Sequence, residues 1–187
     1  MKTHLKYFSA LIIVTLCIQS CTKEKKQDPF QIGKQHIGLL SDSTMVKDLD
    51  IVFSKDSIVT SIKGDEFAGD DNDIEIYIEG KKSLILTPSQ TLDSTAVISS
   101  VQILNENFKT DKNISTLSTF KDIKDNYKIS SINNLISSIV VSVNEINASF
   151  TIDKKELPAN LRFDMTLNIE AVQIPDNAKI KYFMLHW

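Results

Sequence analysis

Ser138-Ile139-Val140-Val141-Ser142-Val143-Asn144-Glu145-Ile146-Asn147-Ala148-Ser149-Phe150-Thr151-Ile152 is the stretch that decides the fold. Its two arms alternate apolar with small polar residues at period two, the pattern of a half-buried strand. Pairing residues 139–143 with 148–152 around Asn144-Glu145-Ile146-Asn147 collects Ile139, Val141, Val143, Ala148, Phe150 and Ile152 on one side. Ser138, Val140, Ser142, Ser149 and Thr151 fall on the other. One face is then core and the other largely wet, as in an antiparallel sheet covered on one side.

Similar segments lie on both sides of this hairpin. Residues 73–79 and 82–87 pair around Gly80-Lys81, a glycine-first turn that suits type II′ and places Ile74, Ile76, Ile78 and Ile85 on one face. Residues 161–170 alternate strictly, with Leu161, Phe163, Met165, Leu167 and Ile169 inward, and predict another strand. Residues 95–104 repeat the pattern more loosely through Val97, Val101 and Ile103. Residues 179–187 read as a strand with apolar side chains on both faces. Most of these strands span five to seven residues, below the ~9–11 that a transmembrane barrel strand needs, so a barrel is rejected.

Two short helices punctuate the strands. Ser43 or Thr44 caps a helix through Phe53, in which Met45, Val46, Leu49, Val52 and Phe53 share a face. Residues 115–126 repeat the arrangement with Leu117, Phe120 and Ile123. Lys47-Asp48-Leu49-x-x-x-Phe53-x-x-x-Ser57-Ile58 matches Lys121-Asp122-Ile123-x-x-x-Tyr127-x-x-x-Ser131-Ile132 at a constant offset of 74. The expected fold class is α+β, mainly antiparallel β-sheet with two short helices. Its two helix–strand–hairpin pseudo-repeats cover about 37–104 and 113–187 within a single domain, 34–187.

The first twenty residues belong to targeting rather than to the fold. Lys2 and Lys6 form a basic start, and residues 8–18 are an apolar run too short to cross a ~30 Å hydrocarbon core as a helix. The run ends in Ile18-Gln19-Ser20-Cys21. This resembles the lipobox of bacterial lipoproteins, although Gln19 departs from the small or β-branched residue usual at that position. Leu16 is too bulky to make Cys17 the competing site. The resemblance implies a signal peptide over 1–20, a diacylglyceryl group on the Cys21 sulfur, and anchoring in the cell envelope, at the outer membrane. Which side of that membrane the domain faces stays open. One acyl chain holds a protein marginally, whereas two chains anchor it stably. Residues 21–33 read as a flexible polar leash.

Composition narrows the remaining function classes. The 187 residues are 42% hydrophobic and 24% charged, an ordinary globular balance. Removing Lys2 and Lys6 from the 21 bases leaves 19 against 24 acids, a side-chain charge of −5 after signal removal. Arg162 is the single arginine and no basic cluster occurs, so nucleic acid is not an expected partner. All five glycines precede residue 81, and no phosphate-cradling glycine loop is present. With Cys21 lipidated, no second thiol remains for a disulfide or a nucleophile. No zinc spacing or G-x-S-x-G motif occurs, and no cofactor is expected.

The candidate residues are therefore few. Lipidation falls on Cys21, and no catalytic residue is assigned. His36 and His186 read as packed or edge histidines. Asp70, Asp71 and Asp73 lie in an acidic stretch after Gly64 and are the weak candidates for a Ca²⁺ site, although the spacing does not fit an EF-hand loop. A solvated hairpin tip is the favoured reading there. Ser118-Thr119-Phe120-Lys121-Asp122-Ile123 and Lys179-Ile180-Lys181-Tyr182-Phe183 resemble segments of small uncharacterised flavobacterial-type lipoproteins. The tandem outline is also similar to secreted β-lactamase-inhibitor proteins and to small outer-membrane assembly lipoproteins. The first likeness carries no assigned activity and the second is one of architecture alone. The expected function is a membrane-anchored, non-enzymatic binding or scaffold module with an envelope protein as partner. A periplasmic hydrolase acting through carboxylates is the alternative.

Overall fold

The computed structural model describes residues 28–60 and 73–187. The signal segment, Cys21, residues 22–27 of the leash, and Asp70 and Asp71 lie outside the described residues. Three short strands come first: Gln31–Gly33 (β1), His36–Ile37 (β2) and Leu40–Ser41 (β3). A 3-10 turn, Val46–Asp48, runs into the short helix Leu49–Val52 (α1), followed by Ser57–Thr60 (β4). The strands Ile74–Ile78 (β5), Lys81–Pro88 (β6), Ile98–Ile103 (β7) and Lys109–Thr110 (β8) lead to the helix Phe120–Asn126 (α2). Ser131–Asn134 (β9), Ser138–Val143 (β10), Ala148–Asp153 (β11) and Ile180–His186 (β12) complete the chain. The protein is mainly antiparallel β-sheet with a few short helices, within the α+β class.

The strands form two sheets. The smaller has the order β3-β2-β1-β8, with β1 and β8 parallel. The larger has eight strands in the order β4-β5-β6-β7-β12-β11-β10-β9, antiparallel throughout. One row of cross-strand partners runs through all eight: Ile58, Ile76, Leu84, Ile103, Phe183, Phe150, Val141 and Ile132. Every member is apolar, and the central six are fully buried. The same core takes in Leu49 and Phe53 beside α1, Phe120 and Ile123 of α2, and Ile32, Ile37 and Leu40 of the small sheet. Cross-strand apolar pairs in register are what fix a sheet's alignment and cover its inner face.

The hairpin β10–β11 folds as its alternation requires. Val143 opposes Ala148 and Ile139 opposes Ile152 across the loop, whose last residue, Asn147, takes a left-handed φ of 50°. Asparagine tolerates that region because its short amide bonds locally. In β5–β6 the expected register is off by one. Ile78 opposes Lys81, so Glu79 (φ 52°) and Gly80 (φ 77°) form the turn, a type I′ rather than a II′. The earlier turn moves the pairing by two, and an irregularity between Ile76 and Tyr77 takes one back at Ser83, which is buried and bonded to Asn105 Nδ2 at 3.0 Å and to the Lys81 carbonyl at 2.9 Å. Leu84 and Leu86 therefore face the core with Ile74 and Ile76, and Ile85 turns to the open side.

Residues 161–170 are not a strand. Ala159–Leu161 and Ala171–Gln173 are 3-10 turns, and Phe163 stands 88% exposed. The Asp164 carboxylate accepts from the Thr166 N–H and hydroxyl, which winds the backbone into a local turn. Asn134 Nδ2 donates to the carbonyls of Asp164 and Leu167, each at 3.0 Å, and ties the segment to β9. The place beside β11 that an extra strand would need is held by β12.

Both helices are shorter than their periodicity suggests. Thr44 does not cap a helix: its hydroxyl accepts from the Ser41 N–H, and the first turn starts at Met45. Residues 115–118 form turns that leave Leu117 77% exposed, and α2 begins after Thr119. Thr119 and Asp122 form a capping box there, with the Thr119 N–H donating to Asp122 Oδ2 at 2.7 Å. Val46 and Lys47 N–H groups donate to the carbonyls of Ala96 and Ser94, and Phe120 and Lys121 donate likewise to Ala178 and Asp176. Ile98 takes the inward place expected of Val97, which instead bridges to Met45. The leash ends earlier than residue 33, because Ile32 of β1 is buried and Phe30 packs edge-on against Phe108 at 5.2 Å.

Candidate functional site

The outer face of the large sheet carries a second row beside the apolar one. Val59, Glu75, Ile85, Gln102, Met184, Ser149, Ser142 and Ser131 are successive cross-strand partners from β4 to β9. Three serine hydroxyls, one amide, three apolar residues and one carboxylate, Glu75, make this a weakly charged floor. Most of its members are half-buried, while Val59 and, nearby, Tyr182 are exposed. At the β5–β6 end, Glu75 accepts from the Tyr77 hydroxyl at 2.8 Å and pairs with Lys82 at 2.5 Å, which raises the Lys82 pKa.

The opposite end forms a corner of different character. The register places Ser149 opposite Met184, so His186, two residues on, lies diagonally across on the same face. Ser149 is 8% exposed, and its Oγ lies 2.8 Å from His186 Nε2. Burial lowers the His186 pKa, because the protonated ring would lose more hydration there than the neutral one. Ser142, Asn144, Asn147 and Trp187 join them around an open cleft of about 440 Å³. The Trp187 indole N–H is buried with no hydrogen-bond partner among the described residues, an arrangement that costs about 1–3 kcal/mol in lost hydration. Among the described residues, no carboxylate is hydrogen-bonded to the His186 ring. The pair thus has the nucleophile and base of a hydrolase without the orienting acid.

A second cleft of about 440 Å³ lies beside α2, lined by Glu106, Lys109, Lys112, Ser115, Ser118 and Asp122 among others. Its charges are mostly engaged. Glu106 pairs with Lys81 at 2.8 Å, which lowers the Glu106 pKa. Lys112 donates to the Asn126 carbonyl at the end of α2, pairs with Glu145 and sits 4.1 Å from the Tyr127 ring centre. Burial pushes the Tyr127 phenol up to about 12. These contacts build a brace between the helix and the β10–β11 loop rather than a set of free groups.

The residues singled out from sequence fare differently. His36 stacks its ring over Gly33, so close that a Cβ there would meet His36 Cε1 at 2.3 Å, and it takes no part in either cleft. Asp73 accepts from the Thr87 hydroxyl at 2.7 Å. Among the described residues, no group of three or more His, Cys, Asp or Glu side chains is placed to hold a metal ion. Ser149, Asn144, Asn147 and Trp187 were not candidates from sequence. Alternation puts Ser142 and Ser149 on the wet face, but only the pairing of β11 with β12 brings His186 beside them.

No family model and no curated protein matches the chain. Among solved structures, it is similar to the uncharacterized protein yfeY from Escherichia coli, with a TM-score of 0.54 and 13% identity. The match covers 84% of this chain and 99% of that one. At that identity the likeness concerns the fold alone.

Proposed function

We propose that this chain is a lipid-anchored cell-envelope module that binds a protein or another envelope component through the open face of its large sheet, without catalysing a reaction. The observation that carries the binding part is the floor of Ser142, Ser149, Met184, Gln102 and Ile85, half-buried except for the buried Ser149, with no cluster of carboxylates on it among the described residues. Exposed Ile136 and Phe163, at 79% and 88%, add apolar surface on loops tied together by Asn134, the kind of surface a partner covers. The anchoring part rests on Ile18-Gln19-Ser20-Cys21 and on the basic and apolar segments before it.

The two halves are proposed to be copies of one helix–strand–hairpin–strand unit. The mirrored strand order supports this, as do the matching bonds from Val46 and Lys47 and from Phe120 and Lys121, each pair 74 residues apart. Met45 and Thr119, at the same offset, each bridge to the residue that precedes the unit's last strand, Val97 or Lys179. A duplicated unit of this kind yields a sheet twice as wide, with one continuous open face across the junction of β7 and β12.

Growth with an alkyne-tagged palmitate tests the anchor. Label on the full-length protein that disappears in Cys21→Ala, together with loss of membrane sedimentation, is the expected result. Membrane association that persists without Cys21 refutes it. A hydrolase reading keeps one observation in its favour, the Ser149–His186 hydrogen bond. Turnover of p-nitrophenyl acetate that is abolished by Ser149→Ala would establish it in place of the binding reading.

A further inference from the structure

We infer that the corner cleft formed by Ser142, Asn144, Asn147, Ser149, His186 and Trp187 binds an uncharged, hydroxyl-rich ligand, a neutral saccharide. The inference rests on the binding reading above and names the ligand class for one part of that face. The cleft's chemistry selects the class. In a chain that is 24% charged, no Lys, Arg, Asp or Glu among the described residues lines this cleft. A phosphate or a carboxylate ligand would meet no cationic side chain there, a cost that an anion does not recover from neutral dipoles alone.

The donors and acceptors are instead those that match alcohols. Two amides, two hydroxyls and one imidazole can each give or accept a hydrogen bond, which suits a ligand whose every hydroxyl does both. The depressed pKa of His186 keeps the ring in its neutral, two-way form at pH 7. Trp187, partly buried against the core, lines the cleft and supplies the remaining requirement, an apolar ring beside which the C–H groups of a pyranose can pack. A volume of about 440 Å³ accommodates one or two sugar rings, and the open rim leaves room for a longer glycan to continue.

Trp187 is the only tryptophan, so its fluorescence reports on this cleft directly. The full-length protein, in a detergent without sugar groups, is titrated with cellobiose, N,N′-diacetylchitobiose and, as the charged control, sialyllactose. Saturable changes in Trp187 emission with matching heat in calorimetry, at a Kd of about 0.1–1 mM for a neutral sugar, are expected. Asn144→Asp, an isosteric change on an exposed residue, is expected to weaken binding about tenfold. Ser142→Trp, which fills the floor from its solvent side, is expected to abolish it. Both variants are checked for an unchanged thermal melt, and Asn144→Asp decides the matter if Ser142→Trp does not fold. Sedimentation with purified peptidoglycan sacculi separates a wall glycan from a free sugar as the source.

No response by either method to any of the neutral sugars up to about 20 mM overturns the inference. So does binding that Asn144→Asp leaves unchanged, or sialyllactose binding as tightly through its charged residue. Crosslinking of the wider face to a protein in cells, with no sugar response, sinks the saccharide site while leaving the binding reading intact.

Discussion

Replacing Phe183 by alanine removes the central member of the apolar row and is expected to cost about 4–6 kcal/mol. Phe183 is fully buried on β12, the strand that joins the two halves of the sheet through β7 and β11. Truncating a buried Phe costs about 3–5 kcal/mol through lost transfer energy and the cavity left behind. Its ring centre lies 4.5 Å from that of Phe150 at a tilt of 36°, an aromatic contact that contributes about 0.5–1.5 kcal/mol more. Ile103 and Phe150 flank it in register on backbones held by the ladder, so neither side collapses freely into the gap. A domain of this size has about 5–15 kcal/mol in total, and F183A removes about a quarter or more of it. With an m-value of about 2 kcal/mol/M, the urea midpoint falls by about 2–3 M. Trp187 emission and far-UV circular dichroism follow the transition in parallel. Tyr182→Ala, the neighbouring residue on the open face and 43% exposed, is the control and costs under about 1 kcal/mol. A loss below about 1.5 kcal/mol in F183A, or equal losses for the two variants, refutes the assignment of faces and the junction built on it.

Other consequences concern single turns and one titrating group. Glu79 holds a left-handed φ as the first residue of a type I′ turn, so Glu79→Asn stabilises by about 0.5–1 kcal/mol in the same urea assay; destabilisation would contradict the turn assignment. Thr119→Ala removes the hydroxyl of the α2 capping box and costs about 1 kcal/mol in a thermal melt, with no change meaning that the cap does not hold the helix. Partial burial lowers the folded pKa of His186 below that of a free imidazole. The unfolded chain therefore takes up a proton first as pH falls, and the protein loses stability from about pH 6.5 downward until the folded pKa is passed. His186→Gln flattens that part of the stability–pH curve, and an unchanged slope shows that the imidazole does not stay neutral in the fold.

The β10–β11 hairpin was legible to the residue because both arms alternate strictly and its loop has one natural closure at Asn144–Asn147. The β5–β6 hairpin misled through one torsion. Glycine at position 80 suggests a turn that starts there, yet Glu79 adopts the left-handed conformation itself and moves the pairing by two, and the irregularity at Ile76/Tyr77 takes one back, so that Leu84 rather than Ile85 opposes Ile76. Leu161 to Glu170 shows the limit of period-two patterning. Alternation states which residues could face a core, but the Asp164 and Asn134 side chains bond the backbone first, and β12 occupies the ladder position. Lys154 and Asn105 are buried polar residues that no local pattern marks. The Ser149–His186 corner was hidden for the same reason as the sheet order: its parts lie 37 positions apart and meet only once β11 and β12 pair.

The central claim is that the open sheet face is the surface by which the anchored domain recognises its partner. A photo-crosslinking residue introduced at Met184, and in a separate strain at exposed Ile51 on α1, tests it in intact cells. The account predicts a discrete, light-dependent adduct from Met184 that Gln102→Lys, in the adjacent position on β7, suppresses, and none from Ile51. Adducts from Ile51 alone, or a Met184 adduct indifferent to Gln102→Lys, would contradict it.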